Sequence, residues 1–181
     1  MPERTVLDAS DIRRAVRRMS HEILESAKGT ESLVLLGIPT RGVHLANRIA
    51  AEIDTIESVP AAIPCGSLDI TLYRDDLRMR EVRALEQTRI PGEGIDGQIV
   101  VLVDDVLYSG RTIRAALDAL TDLGRPAAVR LAVLVDRGHR ELPIRPDFIG
   151  KNLPTSQSET VRVHLSETDD EDCVAIYQVD Q

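Results

Sequence analysis

Three short, largely aliphatic runs constrain this chain more than any other feature: Leu33 to Ile38, Ile99 to Val103 and Val129 to Val135, the last with Arg130 near its start. Each is too short to be a helix and too apolar to have a wet face, the pattern of a strand buried on both sides of a parallel sheet. Between the first two, Val43, Ala46, Ile49, Ala50 and Ile53 recur at helical spacing; between the last two, the spacing predicts a helix over Thr112 to Leu123, ended by Gly124 and Pro126. Strand, helix, strand in succession predicts an α/β fold, a parallel sheet flanked by helices. Ligands in such sheets bind beyond the carboxyl ends of the strands. The residues just after Ile38, Val103 and Val135 are therefore expected to meet.

An amphipathic helix precedes these units, with Asp8 or Ser10 as N-cap, Ile12, Val16, Met19 and Ile23 as its apolar stripe, and Gly29 past its end. Ile63 to Tyr73 reads as extended. The charged stretch that follows, broken by Pro91, Gly92 and Gly94, predicts a protruding hairpin arm over about 70–97. Loops of that length are commonly functional, so the arm is a candidate lid. After Asp136 comes a basic loop to about residue 152, punctuated by Pro143 and Pro146, then strand-like runs around Thr160 to Leu165 and Cys173 to Val179. No repeat or linker divides the chain, and residues 1–181 are expected to form a single domain.

Composition narrows the class. No apolar run approaches the roughly 20 residues that span a bilayer, and the first residues lack a secretion-signal pattern, so a soluble cytoplasmic protein without membrane attachment is expected. Cys65 and Cys173 are far apart and outside any Cys/His cluster, and the four histidines have no metal-ligand spacing. A formal charge of -8 argues against bulk attraction to nucleic acid, but it is uneven. Residues 167 to 172, Glu-Thr-Asp-Asp-Glu-Asp, hold much of the acid, while residues 11 to 28 carry five Lys/Arg against three Asp/Glu.

The second strand runs into Asp104-Asp105, and adjacent carboxylates beside an apolar core are costly unless something satisfies them. A vicinal diol does so, one hydroxyl donating to each. A few residues on, Tyr108-Ser109-Gly110-Arg111-Thr112 enters a helix N-terminus, where free N–H groups and the helix dipole favour a phosphate. Diol acceptors and a phosphate cradle this close describe a ribose 5-phosphate site. The Gly-x-x-x-x-Gly-Lys pattern of a Walker loop is not present.

Four aliphatics, two acids, two aliphatics, one variable residue and Ser-Gly-x-Thr resemble the phosphoribosyl pyrophosphate (PRPP) signature of the type I phosphoribosyltransferases. The resemblance implies that Asp104 and Asp105 hold the ribose hydroxyls and that Val106, Leu107 and residues 108 to 112 complete the PRPP and UMP site. Pro39-Thr40-Arg41-Gly42 looks like the family's pyrophosphate loop, with Thr40 and Arg41 as donors and Arg41 counted with the two acids as catalytic. Mg²⁺ is expected to arrive with PRPP rather than on a protein site. A lid excluding water from an oxocarbenium-like centre is also implied, and Arg74, Arg78 or Arg80 of the arm would reach the pyrophosphate.

Purine-salvage members place an acid where Tyr108 stands, so a pyrimidine is favoured. The stretches Asp69 to Asp76, Leu134 to Arg145 and Ile149 to Asn152 resemble those members of the family that regulate pyrimidine biosynthesis. That implies transfer of phosphoribose to uracil, with Val135, Asp136 and Arg137 recognising the base. It also implies binding of a pyrimidine-operon mRNA leader under UMP or UTP control, by a face shared across a homodimer. Arg14, Arg17, Arg18 and His21 project on one helix face, and the Arg14/Arg18 like-charge pair would be relieved by a polyanion. Matching the family's RNA-binding positions gives Arg17, His21, Arg140, Arg145 and Lys151. Two alternatives remain: a nucleotide-sensing RNA regulator with little turnover, and a transferase for another base.

Overall fold

The computed structural model describes residues 4–58, 62–75 and 87–179. In chain order these form β1 (Arg4–Leu7), α1 (Ala9–Ala27), β2 (Leu33–Gly37), α2 (Arg41–Glu57), β3 (Cys65–Ser67), a 3₁₀ turn at Thr71–Tyr73, β4 (Ile99–Leu107) and α3 (Arg111–Thr121). Strands β5 (Ala128–Asp136), β6 (Phe148–Asn152), β7 (Glu159–His164) and β8 (Cys173–Gln178) follow. Five strands make an all-parallel sheet in the order β3-β2-β4-β5-β6, and three make an antiparallel sheet in the order β1-β8-β7.

Successive side chains along a strand point to opposite faces, and both faces of the parallel sheet are apolar. Leu33, Leu35, Val101, Val103, Ala132 and Leu134 pack with α1, α2 and the inner residues of β7 and β8. Val34, Leu36, Val100, Leu102, Leu131 and Val133 pack with Ile113, Ala116 and Leu120 of α3. Among the described residues the buried core is aliphatic apart from Phe148, Met19 and Cys173. Helix α1 begins on a reciprocal capping box between Asp8 and Asp11 and ends with Lys28, not Gly29, as the first left-handed residue (φ 55°). Among the described residues no helix is long and apolar enough to cross a membrane.

Several expectations shift. The Asp-Asp pair is not in a loop, because β4 continues through it to Leu107, held by parallel pairing with β5 as far as Leu107 opposite Asp136. Within Ile63–Tyr73 only Cys65–Ser67 is a strand. The basic loop contains an edge strand, β6, and β1 is an addition. The tip of the expected arm, with Arg78 and Arg80, lies outside the described residues. Its base is described: Arg89 exchanges backbone hydrogen bonds with Ser67, and Tyr73 donates to Asp122 at the end of α3.

Candidate active site

Strand β4 delivers Asp104 and Asp105 to the carboxyl edge of the sheet. Asp104 is 7% exposed, and its Oδ1 accepts the Asp105 N–H at 2.9 Å; Asp105 Oδ1 accepts the Val106 N–H at 2.8 Å. Burial, and then the neighbouring Asp105 charge, push the Asp104 carboxyl well above the ordinary carboxylate range, with Arg74 pulling the other way. The pair thus presents one acid held toward its neutral form beside one more open to solvent, with hydrogen-bonding capacity to spare for a diol.

Five residues after Asp105, Gly110 (φ 95°) caps α3 with no side-chain hydrogen bond of its own, and the Arg111 N–H donates to Ser109 Oγ at 3.3 Å, leaving the next N–H groups of the first turn without partners inside the helix. The preceding residue is tied down: the Ser109 carbonyl accepts from the Glu141 and Leu142 N–H groups at 2.9 and 3.1 Å. Arg111 donates through Nε to Glu141 (2.8 Å) and through an Nη to Asp75 (2.6 Å). Its guanidinium therefore knots together the candidate phosphate loop, the base of the arm and the basic loop.

The segment Pro39–Gly42 lies alongside, with a cis Pro39–Thr40 peptide. Ile38 N–H donates to the Val103 carbonyl at 2.9 Å. A methyl on Gly42 would run into that same carbonyl oxygen, and one on Gly37 would meet the backbone of Gly42 and Val43. Glycine at these two places lets the start of α2 press against the backbone that carries Asp104. Arg41 does not point freely into solvent, because its Nε and Nη donate to the two oxygens of Asp169 at 3.0 and 2.7 Å.

The third loop follows β5. Arg137 N–H donates to the Leu107 carbonyl at 3.1 Å, bringing the ends of β4 and β5 together as the strand pattern predicts. Val135 is fully buried, and Arg137 is 5% exposed, its guanidinium donating to Thr155 Oγ1 and to the carbonyls of Ser156 and Glu159 while lying over the Tyr108 ring. Asp136 accepts from Arg140, which also donates to the carbonyls of Tyr108 and Ile144.

The expected RNA-binding residues divide. Arg17, His21, Arg145 and Lys151 are exposed, whereas Arg140 braces its own loop. The Arg14/Arg18 repulsion is already answered: Arg14 pairs with Asp11 and Ser10, and Arg18 donates to Glu22 and to the carbonyls of Ile149 and Gly150.

One contributor is not visible in sequence spacing. The acidic run at 167–172 forms the turn between β7 and β8, and two arginines seven residues apart on α2 grip it. Arg41 takes Asp169, and Arg48 takes Glu167 (2.6 Å) and Asp172 (2.8 Å). The arginine hydrogen bonds hold all three carboxyls below the usual range. Cys173 is buried, and Cys65 donates weakly to Asn47, its thiol pushed up to about 11 by burial.

A family model for the phosphoribosyl transferase domain matches residues 4–168. The bifunctional protein PyrR of Streptomyces coelicolor is 65% identical, over 96% of this chain and 89% of that one; PyrR of Deinococcus deserti is 55% identical, over 99% and 97%. Among solved structures, the hypoxanthine phosphoribosyltransferase of Trypanosoma cruzi superposes with a TM-score of 0.73 at 18% identity, covering 98% of this chain and 97% of its own. A hypoxanthine-guanine phosphoribosyltransferase from Bacillus anthracis gives 0.69 at 17%, covering 97% and 98%. The last two speak for the fold alone. Matched by the domain model over most of its length and by these relatives nearly end to end, the chain belongs to the phosphoribosyltransferase family, in the group of bifunctional PyrR proteins.

Proposed function

We propose that this protein transfers phosphoribose from PRPP to uracil, giving UMP and pyrophosphate, and that it binds a pyrimidine-operon mRNA leader under the control of uridine nucleotides. The observation that carries this is the Asp104-Asp105 pair at the end of β4, one tight turn before the uncapped start of α3. Asp104 and Asp105 take the ribose hydroxyls, and the N–H groups from Tyr108 to Thr112 take the 5-phosphate. Backbone donors of Thr40 and Arg41 meet the pyrophosphate, and the Val135–Arg137 segment meets the uracil edge.

As the bond from C1′ to pyrophosphate breaks, positive charge builds on the ribose and is stabilised by the Asp105 carboxylate, with Asp104 hydrogen-bonding the sugar beside it; uracil N1 bonds to C1′ and its proton leaves with the departing pyrophosphate. Hard carboxylate oxygens suit Mg²⁺ carried in with PRPP. Among the described residues no three His, Cys, Asp or Glu converge as a metal centre of their own. When bound, Mg²⁺ offsets the charge of the departing pyrophosphate. Arg74, at the described base of the expected arm, stands close enough for its charge to reach Asp104. Two copies in the cytoplasm pair so that their α1 faces, with Arg145 and Lys151, form one basic surface for folded RNA.

Incubating the protein with PRPP, Mg²⁺ and each base in turn tests this directly. UMP from uracil, abolished by Asp104→Asn with Asp105→Asn, is the expected result. IMP or GMP from a purine would overturn the base assignment, and nucleotide-dependent RNA binding without turnover would make the protein a sensor.

A further inference from the structure

The acidic turn between β7 and β8 lies outside the sugar, phosphate and base subsites, yet it holds a residue of one of them. We propose that Asp169 is a positioning residue of the pyrophosphate loop, acting through Arg41; this deepens the phosphoribosyl transfer proposed above and rests on it.

Arg41 is the first residue of α2, and a cation at a helix N-terminus is disfavoured by the helix dipole. Left alone, its guanidinium has two acids to choose between: Asp169, in two-point contact, and Asp105, whose charge also reaches it. Capture by Asp105 would occupy an acceptor that the ribose needs and lay the side chain across the start of α2. Asp169 prevents this. Its fork-to-fork geometry fixes the plane of the guanidinium as well as its place.

Asp169 is itself held. Its Oδ2 accepts the Leu165 N–H at 2.9 Å and the Thr168 hydroxyl at 3.1 Å, and its own N–H donates to the Leu165 carbonyl at 2.6 Å. His164 Nδ1 stands 3.8 Å from Oδ1, with Nε2 of the same ring 3.2 Å from the Tyr177 hydroxyl. The carboxylate is thus presented by the hydrogen-bonded turn that joins β7 to β8, 128 residues along the chain from its partner. Arg48 supplies an internal comparison, since it grips the same turn from the same helix but its partners are Glu167 and Asp172.

The test measures PRPP affinity by calorimetry beside steady-state kinetics, for the whole protein and four variants. Asp169→Asn is expected to weaken PRPP binding and raise its KM about tenfold, with kcat and the uracil KM within about threefold. Asp169→Glu, which keeps the carboxylate, should recover most of that loss. Arg48→Gln should lower the melting temperature while leaving the PRPP KM within about twofold. In an Arg41→Gln background, Asp169→Asn should add nothing, because the two act as one unit. Equal PRPP effects from Asp169→Asn and Arg48→Gln, or an Asp169→Asn effect that persists without Arg41, would overturn the assignment. A wild-type protein that binds PRPP but turns over no base would refute the enzyme and still test Asp169 through the binding series; one that binds no PRPP would refute both.

Discussion

The guanidinium of Arg137 lies 4.1 Å from the centroid of the Tyr108 ring, so the first residue after β5 is stacked on the first residue after β4. Tyr108 is 42% exposed, and the His139 ring is steeply inclined to it, with 6.1 Å between the ring centroids. The stack joins the candidate phosphate loop to the candidate base loop through a buried cation whose hydrogen bonds all go to neutral oxygens of the 155–159 segment.

Arg137→Lys keeps the charge but loses the flat face and the fork. The uracil KM should rise about tenfold while the PRPP KM stays within about twofold, and the melting temperature should fall by a few degrees. Steady-state kinetics with each substrate varied in turn decide it; an unchanged uracil KM removes Arg137 from the base subsite.

Asp104 gives opposite signs for stability and activity. Its folded-state pKa lies above the ordinary carboxyl value because of burial and Asp105. Its contribution to stability is therefore complete below about pH 4 and is lost as pH rises toward the folded-state value. At pH 7.5 folding must bury the charge or take up a proton, and Asn does neither. Asp104→Asn should raise the melting temperature at pH 7.5 by roughly 2–4 °C, corresponding to about 1 kcal/mol, with the advantage shrinking toward pH 4. UMP formation should fall at least about 100-fold.

The Arg48 cluster has the reverse pH sign. Glu167 and Asp172 are depressed first of all by their hydrogen bonds to Arg48, so their contribution is present above about pH 4 and is lost as pH falls through their folded-state values. Arg48→Gln should destabilise the protein by about 1–3 kcal/mol at pH 7, and the difference should close in acid. Urea unfolding at several pH values measures both.

Gly42→Ala places a methyl against the Val103 carbonyl oxygen, which belongs to backbone that cannot swing aside as a side chain does. A loss of about 2–4 kcal/mol is expected, together with a PRPP KM raised more than the uracil KM, because α2 must back away from β4. A fully stable, fully active variant would show that the two segments are not in close contact.

RNA binding is predicted to separate from catalysis at Lys151 and Arg17. Each substitution to Ala should weaken RNA affinity several-fold and reduce the slope of log affinity against log salt by about 1, with UMP formation unchanged. Arg140→Ala should lower both activities, since Arg140 spans Asp136, Tyr108 and Ile144. Filter binding across a salt series distinguishes the two patterns.

The parallel sheet and its three crossover loops were readable because both signals are local. A strand covered on both faces shows as an unbroken aliphatic run, as at Leu33 and Ile99, and Asp104-Asp105 stands out against one. β6 did not show because it is an edge strand, Phe-Ile-Gly-Lys-Asn, with only Phe148 buried. β1 has four residues and is set by pairing with β8, 167 to 172 positions away. In the sequence the acidic turn is only surplus charge, since nothing in the spacing of Glu167, Asp169 and Asp172 names Arg41 and Arg48 as partners. The apolar pattern ends the second strand at Val103, but the strand runs to Leu107, because charged residues interrupt the pattern while the ladder with β5 carries on beneath them.

That ladder sets the separation between the candidate phosphate loop and the candidate base loop. Tyr108 and Arg137 leave from directly opposed positions on neighbouring strands, about 4.8 Å apart in any sheet. The gap between these two candidate loops is thus a lattice spacing, not an adjustable loop length. A descendant of this chain seeking a bulkier nucleobase would have to carve room out of Tyr108 or Arg137 themselves, because lengthening either connection would leave the separation of the strands where it is.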